Sequence, residues 1–407
     1  MFRILGLLTI LMGLAQAAEP AVATRSALLW DLEALTRVRE HAQGGDATLA
    51  AAVGRLCKDA DRVLGKPLDA VTDKANGGLL ADGQDPHDYR SLSTYYWPDP
   101  HDSKAPWIKR DGDGNREGIA QYDSPRLRRA ADRIRDGALA WWFSGKDEYA
   151  TDAVAQLRHW FLAPATAMNP HLNYAQFVPG KNGAQGNAHG LIDTRCFVDM
   201  LSAVRLLEVG GRLPEEDQQG LRAWFRAYLD WLTTSDLGVR ESKASNNHGL
   251  YYDAQVVAFA LYLGDGERAR SVMAEVGPRR LAKQIAPDGS MPHELGRPTA
   301  GTYLCFTLEA VVQLVALERN AKLDTDLWAW SSSDGRSLAA ALRWTLPYVL
   351  EGKAWDHGRA EDPIKPARVG RMIHNLTAAG VDTGLTEVLS RFPIPREDRL
   401  RLLAPVK

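Results

Sequence analysis

Ser245-Asn246-Asn247-His248-Gly249-Leu250-Tyr251-Tyr252-Asp253-Ala254-Gln255-Val256-Val257-Ala258-Phe259-Ala260-Leu261-Tyr262-Leu263 joins a polar entry to an apolar run, and the spacing of that run decides the fold. Leu250, Ala254, Val257 and Leu261 stand four, three and four residues apart, the interval that lines up side chains on one face of an α-helix. The same period recurs outward in both directions: Ser26 to Arg39, Leu49 to Leu64, Arg126 to Phe143, Asp152 to Leu162, Leu191 to Leu207, Asp217 to Leu232, Glu267 to Ile285, Thr302 to Leu317 and Ser337 to Leu350. Ser124-Pro125 offers a cap and then a first-position proline, and Ser337 heads the last long helix. Alternating strands between hairpin turns are almost absent. The chain is therefore all-α. Paired helices of this length form a solenoid, a bundle or a closed toroid, and no repeat of fixed period supports the solenoid.

The connections are as informative as the helices. Those from Gly77 to Asp123, from Pro164 to Asn187 and from Ala286 to Gly301 are long and rich in Gly, Pro, Asn, Asp and aromatics. Loops beyond about 12–15 residues in a compact domain are usually functional. An (α/α) toroid with these loops over one mouth would gather all three around a cleft. The expected organisation is one domain over residues 18–407, with room for a small extension after Gly352.

Composition narrows the class. The 407 residues are 45% apolar and 25% charged, the balance of a globular chain with a sizeable core. Lys+Arg 49 against Asp+Glu 51 leaves a formal charge of -2, without the general basic footprint of a nucleic-acid binder. Trp 12 and Tyr 12 outnumber Phe 9, an excess of rings with a polar handle that suits sugar faces as well as cores. Met1-Phe2-Arg3, the apolar run from Ile4 to Leu14 and the small residues of Ala15-Gln16-Ala17 read as a secretory signal, cleaved after Ala17, for a periplasmic or secreted protein. No later run is expected to reach the roughly 20 apolar residues of a membrane span. Cys57, Cys196 and Cys305 are odd in number and far apart, and read as buried free thiols. The chain has no Cys-x-x-Cys, His-Glu-x-x-His or Gly-x-Ser-x-Gly.

Four segments carry candidate chemistry. Tyr95, Tyr96 and Trp97, with Trp107 beyond, form an aromatic loop. The acidic run after it, Asp111 to Glu117, fails as a calcium loop, because Arg116 stands where the turn glycine is required. Asn187 and His189 precede the helix bearing Asp193 and Arg195, and Asn187 also suits a helix cap. Glu241, Lys243, Asn246, Asn247 and His248 are more polar than one cap needs. Asp288 to Tyr303 runs from loop to helix. Arg297, preceding a proline, is placed in the loop and Tyr303 in the first turns of the helix.

Asn246-Asn247-His248 at a helix start, then an Asp-Gly loop, Arg297 and Tyr303, together with Tyr95-Tyr96-Trp97-Pro98-Asp99-Pro100, resemble the alginate lyase family of polysaccharide lyases. The resemblance spans roughly Leu80 to Leu350. It implies a helical toroid and β-elimination on an anionic polyuronate, with no metal or cofactor required. Abstracting the C5 proton puts a second negative charge beside the uronate carboxylate, so donors must stabilise the enediolate. By the resemblance Tyr303, His248, Arg297 and Asn247 are catalytic, with Asn187 or a protonated Glu241 as further donors. Tyr303 would take the C5 proton and return one to the leaving oxygen. A free phenol ionises near 10, so nearby positive charge is expected to lower that value.

Asn246, Lys181, Lys243, Arg195 and Arg240 would hold substrate by charge and amide donation, and His189, Tyr95, Tyr96 and Trp97 by ring contact. In mannuronate and glucuronate polymers one residue can serve as base and acid. In guluronate the two groups lie on opposite faces, so His248 would act as base with Tyr303 as acid. Two rival readings stay open: a glycoside hydrolase using two carboxylates such as Asp113 with Glu241 or Glu294, and a non-catalytic periplasmic glycan-binding protein.

Overall fold

The computed structural model describes residues 26–404 except 78, 81 and 82; the expected signal segment lies outside the described residues. Its helices form an (α/α) toroid. Asp123–Ser144 and Asp147–Phe161 make an antiparallel pair, turned by Gly145 in the left-handed region at φ 76°. Gly137 lets the two approach, since a Cβ there would meet the Tyr149 carbonyl oxygen at 2.9 Å. On its other side Asp123–Ser144 packs against Cys196–Val209. Asn247–Tyr262, the histidine helix, lies against Ala300–Ala321, the tyrosine helix, as well as Glu215–Thr234 and Gly266–Val276. Phe161, Phe197, Trp224, Phe225, Tyr228 and Phe259 fill part of the centre, mostly through edge-to-face and tilted contacts.

Several helix limits differ from the sequence reading. The first helix starts only at Leu32, because Asp31 caps it by accepting from the Ala34 amide, while Ser26–Ala27 pairs with Trp30–Asp31. The Leu191 to Leu207 stretch divides into a 3-10 segment, Ala188–Arg195, and an α-helix from Cys196. Glu267 to Ile285 contains a π-turn at Gly277–Leu281, where Pro278 supplies no amide donor. Ser124 is not a cap; the helix already begins at Asp123. Ser337 does cap, accepting from the Ala340 amide at 3.1 Å. Leu338–Leu350 is not the last long helix, since Pro366–Ala378 follows and packs on the tyrosine helix.

The expectation about membrane-length runs is also corrected. Ala300–Ala321 is long and apolar enough to span, with mean hydropathy 1.6, but 72% of that window is buried inside the protein. Its apolarity serves helix contact on several sides. Of the thiols, Cys305 is buried, whereas Cys57 and Cys196 are only half-buried; all three are free. Burial pushes the Cys196 thiol up to about 12 and Cys305 up to about 11, which keeps both protonated and unreactive at neutral pH.

Short strands and one buried ion pair fasten the long loops. Arg90–Leu92 runs parallel to Tyr174–Phe177, joining the first loop to the second, and Tyr96–Trp97 pairs antiparallel with Ile108–Lys109. Lys74 Nζ lies 2.9 Å from Asp123 Oδ2, with both side chains wholly buried. It also donates to the carbonyls of Val71 at 2.6 Å and Pro86 at 2.9 Å, which uses its three protons. Asp123 Oδ2 additionally accepts from the Arg90 amide. Removing one partner of such a pair strands the other charge. Lys74→Met should therefore lower stability by roughly 3–5 kcal/mol, read as a lower urea midpoint at unchanged slope. Adding Asp123→Leu to it should restore part of the loss.

Candidate active site

The first two long loops, and the histidine and tyrosine helices where they begin, enclose a cleft of about 590 Å³. Tyr303 occupies the first turn of its helix, whose start is held from the C-terminal segment: Asp362 accepts from the Thr302 amide and hydroxyl at 2.9 and 2.6 Å. Arg359 donates its amide to the Pro298 carbonyl at 2.7 Å. Residues beyond Gly352 thus help fix the tyrosine. Arg297 sits in the bend between Pro292–Leu295 and the tyrosine helix. Its Nε and Nη2 donate to Asp111 at 2.8 and 2.6 Å, and its guanidinium carbon lies 3.9 Å from the centre of the Tyr303 ring. The hydrogen bonds from Arg297 hold the Asp111 carboxyl below its ordinary range. Beyond Asp111, the guanidinium also interacts with the Tyr303 side chain.

Tyr303 Oη shares a hydrogen bond of 2.5 Å with Tyr95 Oη. Burial pushes the Tyr303 phenol well above its usual value, the bond to Tyr95 adds to this, and Arg297 pulls the other way with less effect. The expected net lowering of this phenol is overturned: Arg297 does pull it down, by charge and by a hydrogen bond, but burial and the bond to Tyr95 outweigh it.

His248, second in its helix, directs Nδ1 to Glu241 Oε1 at 2.7 Å. Glu241 ends the short helix Asp236–Glu241 and is buried. As an acceptor for Nδ1–H it fixes the ring and turns Nε2 to the cleft. Glu241 thus contacts the histidine and also lines the cleft. The His189 ring stands edge-on to His248 at 6.0 Å. Burial, then His248 and Lys109, push its imidazole down to about 4, so it is neutral at ordinary pH.

Tyr95, Tyr96, His189, Arg195, Glu241, Asn246, His248, Arg297 and Tyr303 all line the cleft, as the sequence reading required. Five others do not. Asn247 is buried, its amide nitrogen 3.1 and 3.2 Å from the two oxygens of Glu294, because helix entry turns it inward. Asn246 faces the cleft instead, with its side-chain amide unpartnered among the described residues. Asn187 makes no side-chain cap; its Nδ2 donates to the Gln176 carbonyl at 2.6 Å and holds Gln176 at φ 48°. Lys181 is exposed, 5.1 Å above the outer Tyr96 ring. Lys243 is exposed at a turn. Trp97, one residue from Tyr96 on a strand, points to the opposite side and donates to the Asp113 carbonyl at 2.8 Å.

Sequence reading missed two residues. Asp111 was set aside with the rejected calcium loop, although an Asp on one loop and an Arg on another could have been paired. Asp193 accepts from Tyr89, Ser91 and Gln176 at 2.9, 2.6 and 2.8 Å and ties the two loops beneath the cleft. The hydrolase reading fails on geometry: Asp113 pairs with Arg359, Glu294 is buried against Asn247, and of the three candidate carboxylates only Glu241 lines the cleft.

A helical toroid carrying a tyrosine, an arginine and a carboxylate-bound histidine in one cleft defines a polysaccharide lyase. The chain belongs to the alginate lyase family, whose model matches residues 74–355. A crystal structure of an alginate lyase from Bacteroides ovatus is 33% identical, covering 93% of this chain and 99% of its own, with a TM-score of 0.86. Alginate lyase A1-III from Sphingomonas species A1 is 16% identical over 96% of this chain and 100% of its own, TM-score 0.60. A variant of A1-III complexed with tetrasaccharide is 15% identical over 96% and 98%, TM-score 0.59. These last two speak to fold alone. No curated protein sequence matches the chain.

The geometry makes a direct prediction about the histidine. Nitrogen NMR of histidine-labelled protein should show neutral His248 as the Nδ1–H tautomer, and Glu241→Ala should shift it toward the usual mixture.

Proposed function

We propose that the protein cleaves 1,4-linked uronic-acid polymers, either alginate or polymannuronate or else glucuronan, by β-elimination in the periplasm or outside the cell. The observation that carries this reading is the convergence of Tyr303, Arg297 and the Glu241-bound His248 on one cleft. The Arg297 guanidinium, the Asn246 amide and Nε2 of His248 would meet the carboxylate of the reacting sugar, stabilising the enediolate as the C5 proton leaves. Tyr303, as phenolate, takes that proton and returns it to the C4 oxygen, a same-side transfer that suits mannuronate and glucuronate. His248 Nε2 supplies the base for the opposite face of guluronate. Tyr96 offers a ring to a neighbouring pyranose. The B. ovatus alginate lyase supports alginate among these substrates.

Incubating the protein with each polyuronide should produce near-ultraviolet absorbance from the new double bond; no absorbance with any of them would refute the assignment. Tyr303→Phe should abolish turnover while oligosaccharide binding persists, and Arg297→Ala should reduce kcat by about 10²–10³. Since burial keeps the phenol protonated at neutral pH, kcat/KM should climb toward alkaline pH, about tenfold per unit below the ionisation. Exported protein sequenced from its N-terminus should begin at Ala18.

A further inference from the structure

The π-turn at Gly277–Leu281 carries a second inference, which rests on the lyase reading for its chemistry. Such turns often stand at functional sites, although this one contributes no residue to the lining of the cleft. Consecutive side chains of an α-helix diverge by about 100°, and a π-turn, with more residues per turn, narrows that angle. Here two consecutive arginines reach one acid. Arg279 Nη2 donates to Asp253 Oδ1 at 2.7 Å, while Arg280 donates Nε to Oδ2 at 2.8 Å and Nη2 to Oδ1 at 3.0 Å. Asp253 is wholly buried and Arg280 nearly so. One guanidinium balances one carboxylate, so charge alone does not account for the second.

The remaining contacts of Arg280 lead back to the histidine. Its Nη1 donates to the Ala244 carbonyl at 2.7 Å and its Nη2 to the Ser242 carbonyl at 2.8 Å. Both carbonyls belong to the short connection between Glu241, which holds Nδ1 of His248, and Asn246, which lines the cleft. Ser242 is the C-cap of Asp236–Glu241, so its carbonyl has no acceptor role inside that helix. Asp253 stands in the histidine helix itself, five residues past His248. One guanidinium therefore ties the connection to the helix whose ring that connection must grip. Gln284, on the same segment as Arg280, adds a bond from Nε2 to the Asn246 carbonyl at 3.2 Å. Gly249 completes the fit, since a Cβ there would meet the Ala244 oxygen and Arg280 Nη1 both at 2.3 Å.

We propose that Arg280 is a positioning residue for His248: brought in by the π-turn, it clamps the connection behind Glu241 to the histidine helix and so sets the Glu241–His248 bond and the placement of Asn246, without touching substrate. The role needs the planar fork. A lysine could neutralise Asp253, but as a single point of charge it could not span the carboxylate and two carbonyls together. Without the clamp the six-residue helix ending at Glu241 is free to shift against Asn247–Tyr262, and the 2.7 Å contact that fixes the imidazole tautomer is lost.

Arg279 supplies the control, because it bonds the same Asp253 oxygen but no carbonyl of the connection among the described residues. Arg280→Lys keeps a cation beside Asp253 and removes the fork. Nitrogen NMR of this variant should show neutral His248 moving from the Nδ1–H tautomer toward the usual mixture, and kcat on a polyuronide should fall by roughly ten- to a hundredfold. Arg279→Met should lower the urea midpoint while leaving the tautomer and kcat as they were. Gly249→Ala presses on the Arg280–Ala244 bond with every charge kept, so it should act as Arg280→Lys does, and it decides the outcome if the lysine variant does not fold. An unchanged His248 tautomer in either variant, once folded by circular dichroism, would overturn the proposal, as would an equal change in Arg279→Met. The NMR comparison needs no substrate. If no polyuronide is cleaved, the lyase reading falls while the tautomer still decides what Arg280 positions.

Discussion

The fork between Asp111 and Arg297 is the contact on which the cleft depends. It joins residues 186 positions apart, one on the aromatic ribbon and one ahead of the tyrosine helix, and both side chains are largely shielded from solvent. Two parallel charge-assisted hydrogen bonds fix the guanidinium plane as well as its position, which a lysine could not do. The guanidinium so held lies over the Tyr303 ring. Were the fork open, Arg297 would be a mobile surface cation and the ribbon carrying Tyr95 would lose its anchor.

The helices supply the second half of the arrangement. Both the histidine and tyrosine helices begin at the cleft, and a helix start carries partial positive charge of about half a unit from its unpaired amides. Their N-terminal turns therefore add to the cations lining the cavity. A total charge of -2 is compatible with this, since potential in a cleft reflects local geometry rather than the sum. The toroid itself explains why two distant helices open on the same mouth. Alternate members of antiparallel pairs start at the same end, and the buried Lys74–Asp123 pair and the Asp193 hub hold the loops across that end.

The fold was legible because helical period survives in every long element; what escaped were ends and irregularities, such as the π-turn at Gly277–Leu281, set by tertiary contacts. At the site, Tyr303, Arg297, His248 and Glu241 were readable as residues in a pattern. Their partners were less so. Whether Asn246 or Asn247 faces the cleft depends on where the helix begins, and a shift of one residue rotates a side chain by about 100°. That shift turned Asn247 to the buried Glu294 and left Asn246 exposed to the cavity. Likewise Tyr96 and Trp97 looked equivalent, but strand alternation sends adjacent rings to opposite sides. The Tyr95 hydroxyl contact had no local signal, because pairing across two loops is invisible to spacing.

The division between engaged and unengaged polar atoms follows from the same constraint. Arg297 is held by two nitrogens on Asp111 and packs on Tyr303; His248 uses Nδ1 on Glu241 and leaves Nε2; the Asn246 side-chain amide has no partner among the described residues. All three residues line the cleft. Because the neighbouring atoms of Arg297 and His248 are already held, orienting those donors requires no further reorganisation when charge develops on a bound carboxylate. Asn247, by contrast, has its amide nitrogen on a buried carboxylate and stiffens the start of the histidine helix. The two adjacent amides thus divide the work: the inner one fixes where His248 stands, and the outer one remains available to whatever anion enters.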